Sequence, residues 1–367
     1  MISDEKLPDE PGESRLKSWG IGLLKVGITV LALWLTWRLV SGIRWSDMAA
    51  RLESANWWFL LPGLLLLAGR YLFWDMRFRL ASQAAVDRSP KPGLGYAVLM
   101  ASAALNLITP SARLIGGLMR ARYFARALDR SFGLIYGVVL YDQVAHHTVM
   151  TTCTWIAVIV GAPLFGQPWL GIAAGVALAV VVLGLWIWMR RGREAGENPL
   201  VRLLARRAAK AEGKMQRFYS HGHEAVGVFV RLLTFPRLHG AAGLLGLGFF
   251  VMNILSQWFV FRALGVDVDP LVIFAGVALG NAAGMLTGTP GGLGTTEAAM
   301  VGSFVMMGMG QVDATAGTLL YRGLHYASIL AIGLPALLVL EFRPGAKDVE
   351  IDEKEPTGSS PGRGGSR

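Results

Sequence analysis

The residues best suited to bind a charged ligand are arginines that follow a Thr-Pro break in an apolar stretch. The break is Thr109-Pro110, and five arginines come after it: Arg113, Arg120, Arg122, Arg126 and Arg130. A planar guanidinium group fits two phosphate oxygens at once, so a lipid phosphate is the expected anion. Arg113 and Arg120 are seven residues apart, hence on one face of a helix, and lie nearest the break. We predict that these two bind the phosphate; the alternative is that all five contact anionic headgroups and set the topology.

A second Thr-Pro break, Thr289-Pro290, places its proline 180 residues after Pro110. Both breaks are followed by glycines: Gly116, Gly117, Gly291, Gly292 and Gly294. Glycine permits positive φ and close backbone approach, which would leave amide groups facing a ligand. Because non-helical backbone at membrane depth must be satisfied by protein or by a water-filled cavity, the breaks predict a cavity. Close helix packing through small residues is the alternative.

Ionisable residues also occur inside apolar segments, where they are costly and usually functional. Asp142 and His146 stand four apart on one face, and Arg322 lies 180 residues after Asp142. We predict an Asp142–Arg322 ion pair across the two halves, and its role, structural or functional, stays open. Glu297, the lone acid after the second break, would bind a cationic headgroup or a proton, or cap a helix.

Other charged and histidine residues give weaker signals. Arg70 and Asp75 are expected to form a local pair. His146-His147 with Asp142 does not predict a metal site, because one helix cannot converge three ligands. No hydrolase, metalloprotease, P-loop or dinucleotide-binding motif stands in a fitting context, so we predict no catalytic residue, metal ion or cofactor.

Composition places these residues in a membrane protein. The 367-residue chain is 53% hydrophobic and 16% charged, with a mean hydropathy of +0.46, whereas soluble domains carry about 25% charged residues. Recurring apolar runs near twenty residues exclude a soluble enzyme and favour membrane-spanning helices. The net charge is +10, but the basic residues flank apolar segments, which fits the positive-inside rule rather than nucleic-acid binding. The single cysteine, Cys153, excludes an intrachain disulfide.

The order of apolar segments predicts the topology. The eight segments are 20–40, 57–78, 94–109, 131–160, 168–189, 240–262, 270–288 and 314–340. If all eight crossed the membrane, the basic loop 190–239 and the loop 161–168 would both violate the positive-inside rule. We therefore predict an all-α polytopic membrane protein with six full spans and two re-entrant helical hairpins, the first over 94–130 and the second after 270. Both termini are then cytoplasmic.

The same order predicts domain boundaries. Residues 1–19 form a polar cytoplasmic N-terminus, 20–340 the membrane domain and 344–367 a disordered tail. Repeat one covers 57–160 and repeat two covers 240–340 in inverted orientation, as in secondary transporters; chance recurrence of Thr-Pro and Gly-Gly is the alternative.

The loop 190–239 carries apolar residues at helical spacing among basic ones: Leu200, Leu203, Leu204 and Ala208. It predicts a basic amphipathic helix on the inner leaflet, or a solvated linker.

Two motifs carry a resemblance to a known family. The runs are ITPSARLIGGLMRARYF, from Ile108 to Phe124, and LTGTPGGLGTTEAAM, from Leu286 to Met300. They resemble the lysylphosphatidylglycerol synthase transmembrane-region family, the flippase-like domain of bacterial multiple-peptide-resistance factors, over about 20–340. The matching positions are Pro110, Gly116, Gly117, Arg120, Pro290, Gly291, Gly292, Gly294 and Glu297.

The resemblance implies a domain that moves aminoacylated or other anionic lipids between leaflets of a bacterial-type inner membrane. This chain departs from the family at Leu118, where an acid is frequent, and at Asp142-Gln143, where an acid-arginine pair is frequent. The family's soluble aminoacyl-transfer domain is not found after Leu340, so we expect that the chain does not make aminoacyl-lipid itself.

Together these features predict a lipid translocase whose partners are membrane lipids, either an anionic phospholipid or a lipid carrier. The expected headgroup-binding residues are Arg113, Gly116, Gly117, Arg120, Thr289, Pro290, Gly291, Gly292 and Glu297. Two alternatives remain. One is an intramembrane lipid-modifying transferase that uses Asp142 or His146 as a base; the other is a non-catalytic scaffold for a partner lipid synthase.

Overall fold

The computed structural model describes residues 45–109, 114–164, 166–191, 199–287 and 290–342. In these ranges the chain forms twelve α-helices and two short 3-10 turns, Trp57–Phe59 and Pro290–Gly292, and no strand. The helices are α1 Trp45–Glu53, α2 Leu60–Val86, α3 Pro92–Ile108, α4 Leu114–Leu128, α5 Phe132–Leu164, α6 Pro168–Arg191, α7 Pro199–Lys210, α8 Gly213–Leu232, α9 Pro236–Ala263, α10 Pro270–Thr287, α11 Thr295–Met306 and α12 Gln311–Phe342. The predicted all-α architecture is confirmed.

Several predicted features lie outside the described residues. They are the N-terminal segment 1–19, the first apolar run 20–40, the tail 344–367, and Pro110, Arg113 and Thr289 of the two breaks.

Proline marks the start of five of the twelve described helices. These prolines are Pro92, Pro168, Pro199, Pro236 and Pro270. Proline suits the first helical position because its φ is already helical and the amide hydrogen that it lacks has no partner there. The long apolar runs that follow then continue as helices.

Within the described residues, four helices are long and apolar enough to cross a membrane, judged by length and composition. They cover Trp57–Val86, Phe132–Pro163, Pro236–Ala263 and Gln311–Phe342, which correspond to α2, α5, α9 and α12. A hydrocarbon core about 30 Å thick needs about 20 helical residues, and each of these has more. The protein is therefore an integral membrane protein.

Two pairs of shorter helices stand where the hairpins were predicted. In the first pair α3 has 17 residues and α4 has 15; in the second α10 has 18 and α11 has 12. At 1.5 Å per residue these helices are about 18 to 27 Å long, which is less than the hydrocarbon thickness. Within each pair the two helices pack on each other.

The long helices and the helical pairs interlock. The α2 and α9 helices pack antiparallel, with Gly63 against Ser256 near one end and Phe73 against Gly248 further along. The α3 helix packs on α12, and α10 packs on α5. Gly333 allows the first of these contacts, because a Cβ there would lie 2.8 Å from Cβ of Ala104. Each helical pair is thus held by the long helix that follows the other pair.

The basic loop predicted at 190–239 contains two helices, α7 and α8, which pack on each other. The α8 helix also packs on α5, where Gly137 comes so close that an added Cβ would lie 2.8 Å from Cβ of Val228. Leu204, predicted to face lipid, instead points towards Gly222 of α8. This part of the loop is docked on the membrane domain, which disagrees with the solvated-linker alternative.

Candidate functional site

A polar cavity of about 290 Å³ lies between the long helices and the two helical pairs. Its described lining carries these polar side chains: Arg70, Asn106, Thr109, His146, His147, Asn253, Asn281, Thr296, Arg322, His325 and Tyr326. No aspartate or glutamate is among its described lining residues. A cavity with two arginines and amide and imidazole groups, but without a lining carboxylate, is suited to an anion.

The ends of the two helical pairs meet at this cavity. Gly291 has φ +59°, and the side chain of Leu107, two residues before Thr109, occupies the space that a Cβ on Gly291 would need. Gly292 and Gly294 also have positive φ, +71° and +81°, so glycine is required by the backbone here. The predicted conformation of the second break is confirmed.

The first break uses its glycines differently. Gly116 and Gly117 lie inside α4, where Gly116 accepts a hydrogen bond from Oγ of Ser102 at 3.0 Å and donates one to Oδ1 of Asn106 at 3.1 Å. A Cβ on Gly117 would lie 2.8 Å from Nε2 of Gln143. These two glycines allow close packing of α4, as in the alternative interpretation, and the prediction of positive φ for them is wrong.

Arg322 of α12 holds the second break. Its Nε donates to Oε1 of Glu297 at 2.6 Å, and one terminal nitrogen donates to the carbonyl of Gly291 at 2.7 Å. Tyr326 donates to the same Glu297 oxygen at 3.0 Å, and its ring lies 4.5 Å below the guanidinium carbon of Arg322. Because Glu297 and Arg322 are both buried, each charge stabilises the other in a medium that solvates neither well.

Asp142 of α5 is the matching centre near the first helical pair. Its carboxylate accepts from Nε of Arg77 at 2.7 Å, from a terminal nitrogen of Arg120 at 3.1 Å and from Nε1 of Trp74 at 2.6 Å. Asp142 is fully buried, as are both arginines to within 2%. Two buried guanidinium groups therefore share the carboxylate of Asp142.

The two ion pairs place the acid and the arginine on opposite kinds of helix. In the first half Arg120 of the short helix α4 pairs with Asp142 of the long helix α5; in the second, Glu297 of α11 pairs with Arg322 of α12. The two long-helix residues are 180 positions apart. The predicted Asp142–Arg322 pair is wrong, because each residue finds its partner on the neighbouring short helix instead.

Arg70 of α2 is a cavity residue that sequence reasoning did not single out. It donates to Oδ1 of Asn253, and a terminal nitrogen lies 3.2 Å from Nε2 of His325. The expected local pair with Asp75 is wrong, since no ion pair joins them. Asp75 packs instead against Gly95 of α3, where a Cβ would clash with its carboxylate. The sequence did contain an indication of this site, because an arginine in the middle of an apolar segment is usually functional.

The histidines of α5 also line the cavity. His146 stacks on Trp74 with ring centroids 5.3 Å apart and planes 2° apart, and Nδ1 of His147 lies 3.2 Å from the sulfur of Met285. In the part of the chain that the structure describes, no group of three histidine, cysteine or acidic residues is arranged to hold a metal ion.

The cavity thus contains four residues predicted from the sequence: Gly291, Gly292, His146 and Arg322. Three further predicted residues contact the lining from behind. Asp142 accepts a hydrogen bond from Trp74, Glu297 accepts one from Arg322, and Arg120 bonds to Asp142 and lies over the ring of Trp74. Pro290 begins the 3-10 turn of the second break. The arrangement can bind an anion between fixed donors and hold the two breaks in place.

Comparison with known proteins agrees with this architecture. The profile of the lysylphosphatidylglycerol synthase TM region matches residues 22–333. The chain belongs to this family. It is also similar to a UPF0104 membrane protein from Methanothermobacter thermautotrophicus, with 24% identity over 338 residues that cover 88% of this chain and 96% of the relative. The match to the family covers both breaks, the whole of α2, α5 and α9, and α12 as far as residue 333.

Proposed function

We propose that this protein is a lipid translocase that moves an anionic or aminoacylated lipid between the leaflets of the inner membrane. The observation that carries the proposal is the polar cavity at which both helical breaks meet, surrounded by four helices long enough to span a bilayer. A lipid headgroup would enter this cavity while its acyl chains stay in the hydrocarbon. Membership of the family supports the proposal through the flippase-like role that the resemblance implies.

The proposal includes two inverted repeats, each made of a long helix, a re-entrant pair and a second long helix. Repeat one is α2 to α5 and repeat two is α9 to α12. The contacts between helices follow the symmetry expected of two such repeats. The equivalent helices α2 and α9 pack on each other, and the contact of α3 with α12 has its counterpart in the contact of α10 with α5. Arg70 of α2 and Asn253 of α9, which touch, are 183 residues apart, close to the 180 residues that separate Asp142 from Arg322. Such repeats allow one unit to rock against the other and expose the cavity to each leaflet in turn.

The proposed orientation places both termini in the cytoplasm. The antiparallel packing of α2 and α9 puts the C-terminal end of α2, with Arg88 and Lys91 after it, on the same side as Arg231 and Arg237 before and within the start of α9. Basic residues are retained on the cytoplasmic side of membrane helices. The two re-entrant pairs would then enter from opposite sides, the first from the cytoplasm and the second from outside.

Transbilayer movement of fluorescent phosphatidylglycerol and phosphatidylcholine in proteoliposomes tests the proposal. We expect the wild-type protein to accelerate movement and Glu297→Gln to reduce it at least tenfold, because Arg322 then loses its buried counter-charge and no longer fixes Gly291. Arg262→Gln is the matched control, since Arg262 pairs with the exposed Asp267 outside the cavity. Equal rates in wild type and Glu297→Gln, with Arg262→Gln unchanged, would contradict the proposed site.

A further inference from the structure

Arg70 lines the central cavity with a charge that no described residue balances. Its side chain is 2% exposed, and the two groups in contact with its terminal nitrogens, the amide of Asn253 and the imidazole of His325, carry no negative charge. Its Nε has no hydrogen-bond partner. The guanidinium carbon lies 5.1 Å from the ring centroid of Phe249 and 5.2 Å from that of Tyr71, so aromatic faces replace water around it.

The other buried arginines show how unusual this is. The described residues include four buried arginines, of which three touch a carboxylate. Arg77 and Arg120 bind Asp142, and Arg322 binds Glu297. A buried charge without a partner is strongly unfavourable, and buried charges in proteins are normally paired. Among the described residues, Arg70 is therefore the buried arginine that has no carboxylate as a counter-charge.

We propose that Arg70 is the anion-binding residue of the cavity and that its counter-charge is a phosphate group. The planar guanidinium fork presents nitrogens to two phosphate oxygens at once. Asn253 and His325 hold the fork in place; Asn253 is itself fixed by a hydrogen bond from Tyr321 at 2.6 Å. This inference deepens the proposed function, because it assigns the headgroup phosphate of the transported lipid to Arg70 rather than to Arg113 and Arg120.

The surroundings favour an anion at this position. No described carboxylate lines the cavity, so none repels the phosphate. The positive charge of Arg120 lies directly behind the cavity wall, because its guanidinium carbon is 5.1 Å from the ring centroid of Trp74. In this low-dielectric region such charges act over longer distances than they do in water.

Thermal unfolding in dodecyl maltoside, a detergent without phosphate, tests the assignment. The probes are dihexanoyl-phosphatidylglycerol, dihexanoylglycerol and inorganic phosphate, added to wild type, Arg70→Gln and the control Arg262→Gln. We expect the phospholipid to raise the unfolding temperature of wild type and control, with dihexanoylglycerol ineffective and the apparent affinity at least tenfold weaker in Arg70→Gln. Inorganic phosphate acting as well as the phospholipid would support the site and make free phosphate its ligand. Equal responses of wild type and Arg70→Gln, or an equal effect of dihexanoylglycerol, would overturn it.

The unfolding temperatures of the ligand-free proteins provide a second test. If Arg70 only stabilised the fold, Arg70→Gln would unfold at a lower temperature than wild type. Because Arg70 is unbalanced without ligand, Arg70→Gln should unfold at the same or a higher temperature than wild type. A lower unfolding temperature, or failure to fold, would contradict the proposal. Arg70→Lys keeps the charge but not the planar fork, and we expect it to fold and to bind the phospholipid about three- to tenfold more weakly.

The outcomes separate this inference from the proposed function. Binding of the phospholipid by wild type without transbilayer movement would leave the Arg70 site in place and refute the translocase. Movement that is unaffected by Arg70→Gln would refute the Arg70 site and leave the translocase in place.

Discussion

The carboxylate of Asp142 is fully buried and accepts three hydrogen bonds. It lies between two buried arginines and accepts a third hydrogen bond from Trp74. Asp142→Asn removes the carboxylate that these two buried guanidinium groups share, so we expect a loss of about 3–5 kcal/mol in the free energy of unfolding. Denaturation of the purified protein, followed by tryptophan fluorescence, measures it.

Asp267→Asn is the matched control for that experiment. Asp267 also pairs with an arginine, Arg262, at 2.9 Å, but its side chain is 80% exposed. Exposed ion pairs contribute little, so the variant should be indistinguishable from wild type. An Asp142→Asn protein as stable as Asp267→Asn would mean that the buried cluster does not stabilise the fold.

The exchanged charges of the two ion pairs allow a rescue experiment. Arg322→Glu places a second carboxylate beside Glu297 and should strongly lower the unfolding temperature. Adding Glu297→Arg recreates the order found in the first half, with arginine on the short helix and the acid on the long helix. We expect the double variant to regain at least half of the lost thermal stability; a double variant no better than Arg322→Glu would contradict the equivalence of the pairs.

The ionisable residues of the site could be predicted from the sequence, but their hydrogen-bonding and ion-pair partners could not. Asp142, Glu297 and Arg322 stand out because charge is rare in apolar segments. Their partners depend on which helices meet, and the offset of 180 residues suggested the wrong one. Arg70 was assigned to Asp75 because it is near in sequence, yet residues five apart on a helix point to different sides.

At the scale of elements, the second break depends on a left-handed backbone that glycine adopts without strain. Gly291→Ala would cost about 1–2 kcal/mol through its φ of +59° and would also force Leu107 to move. We expect lower thermal stability and a slower translocation rate. Gly302→Ala is the control, because Gly302 lies within α11 with open space at its Cβ position, and alanine favours a helix there. Equal effects of the two substitutions would show that the break needs no left-handed residue.

The helical pairs themselves were predictable from the sequence. The run 94–109 is too short for a usual span, and the run 270–288 ends at Thr-Pro-Gly-Gly and is followed by the short segment 293–312. The glycines of both breaks were expected to adopt positive φ, and this prediction was wrong for the first break. Gly291, Gly292 and Gly294 form a non-helical turn, whereas Gly116 and Gly117 lie inside α4 and receive Asn106 and Gln143 against their backbone. A Gly-Gly pair does not by itself distinguish a turn from close packing, since the distinction depends on the neighbouring helix.

At the scale of the whole molecule, the proposed topology predicts which loops face the cytoplasm. In a Cys153→Ala background, a cysteine at the exposed position 212, between α7 and α8, should react with an impermeant maleimide only after the membrane is opened. A cysteine at the exposed position 267, between α9 and α10, should react in intact cells. Labelling of both positions in intact cells would contradict the orientation, since α9 would then not cross the membrane.

We propose that the protein moves lipid across a bilayer through its polar cavity. The most direct measurement is the rate at which fluorescent phosphatidylglycerol in wild-type proteoliposomes becomes accessible to an impermeant quencher, compared with protein-free and heat-denatured controls. The account predicts acceleration that depends on native protein and is greater for phosphatidylglycerol than for a fluorescent diacylglycerol analogue without phosphate, corrected for its spontaneous movement. Rates equal to those of the denatured control, in membranes shown to contain folded protein, would contradict it.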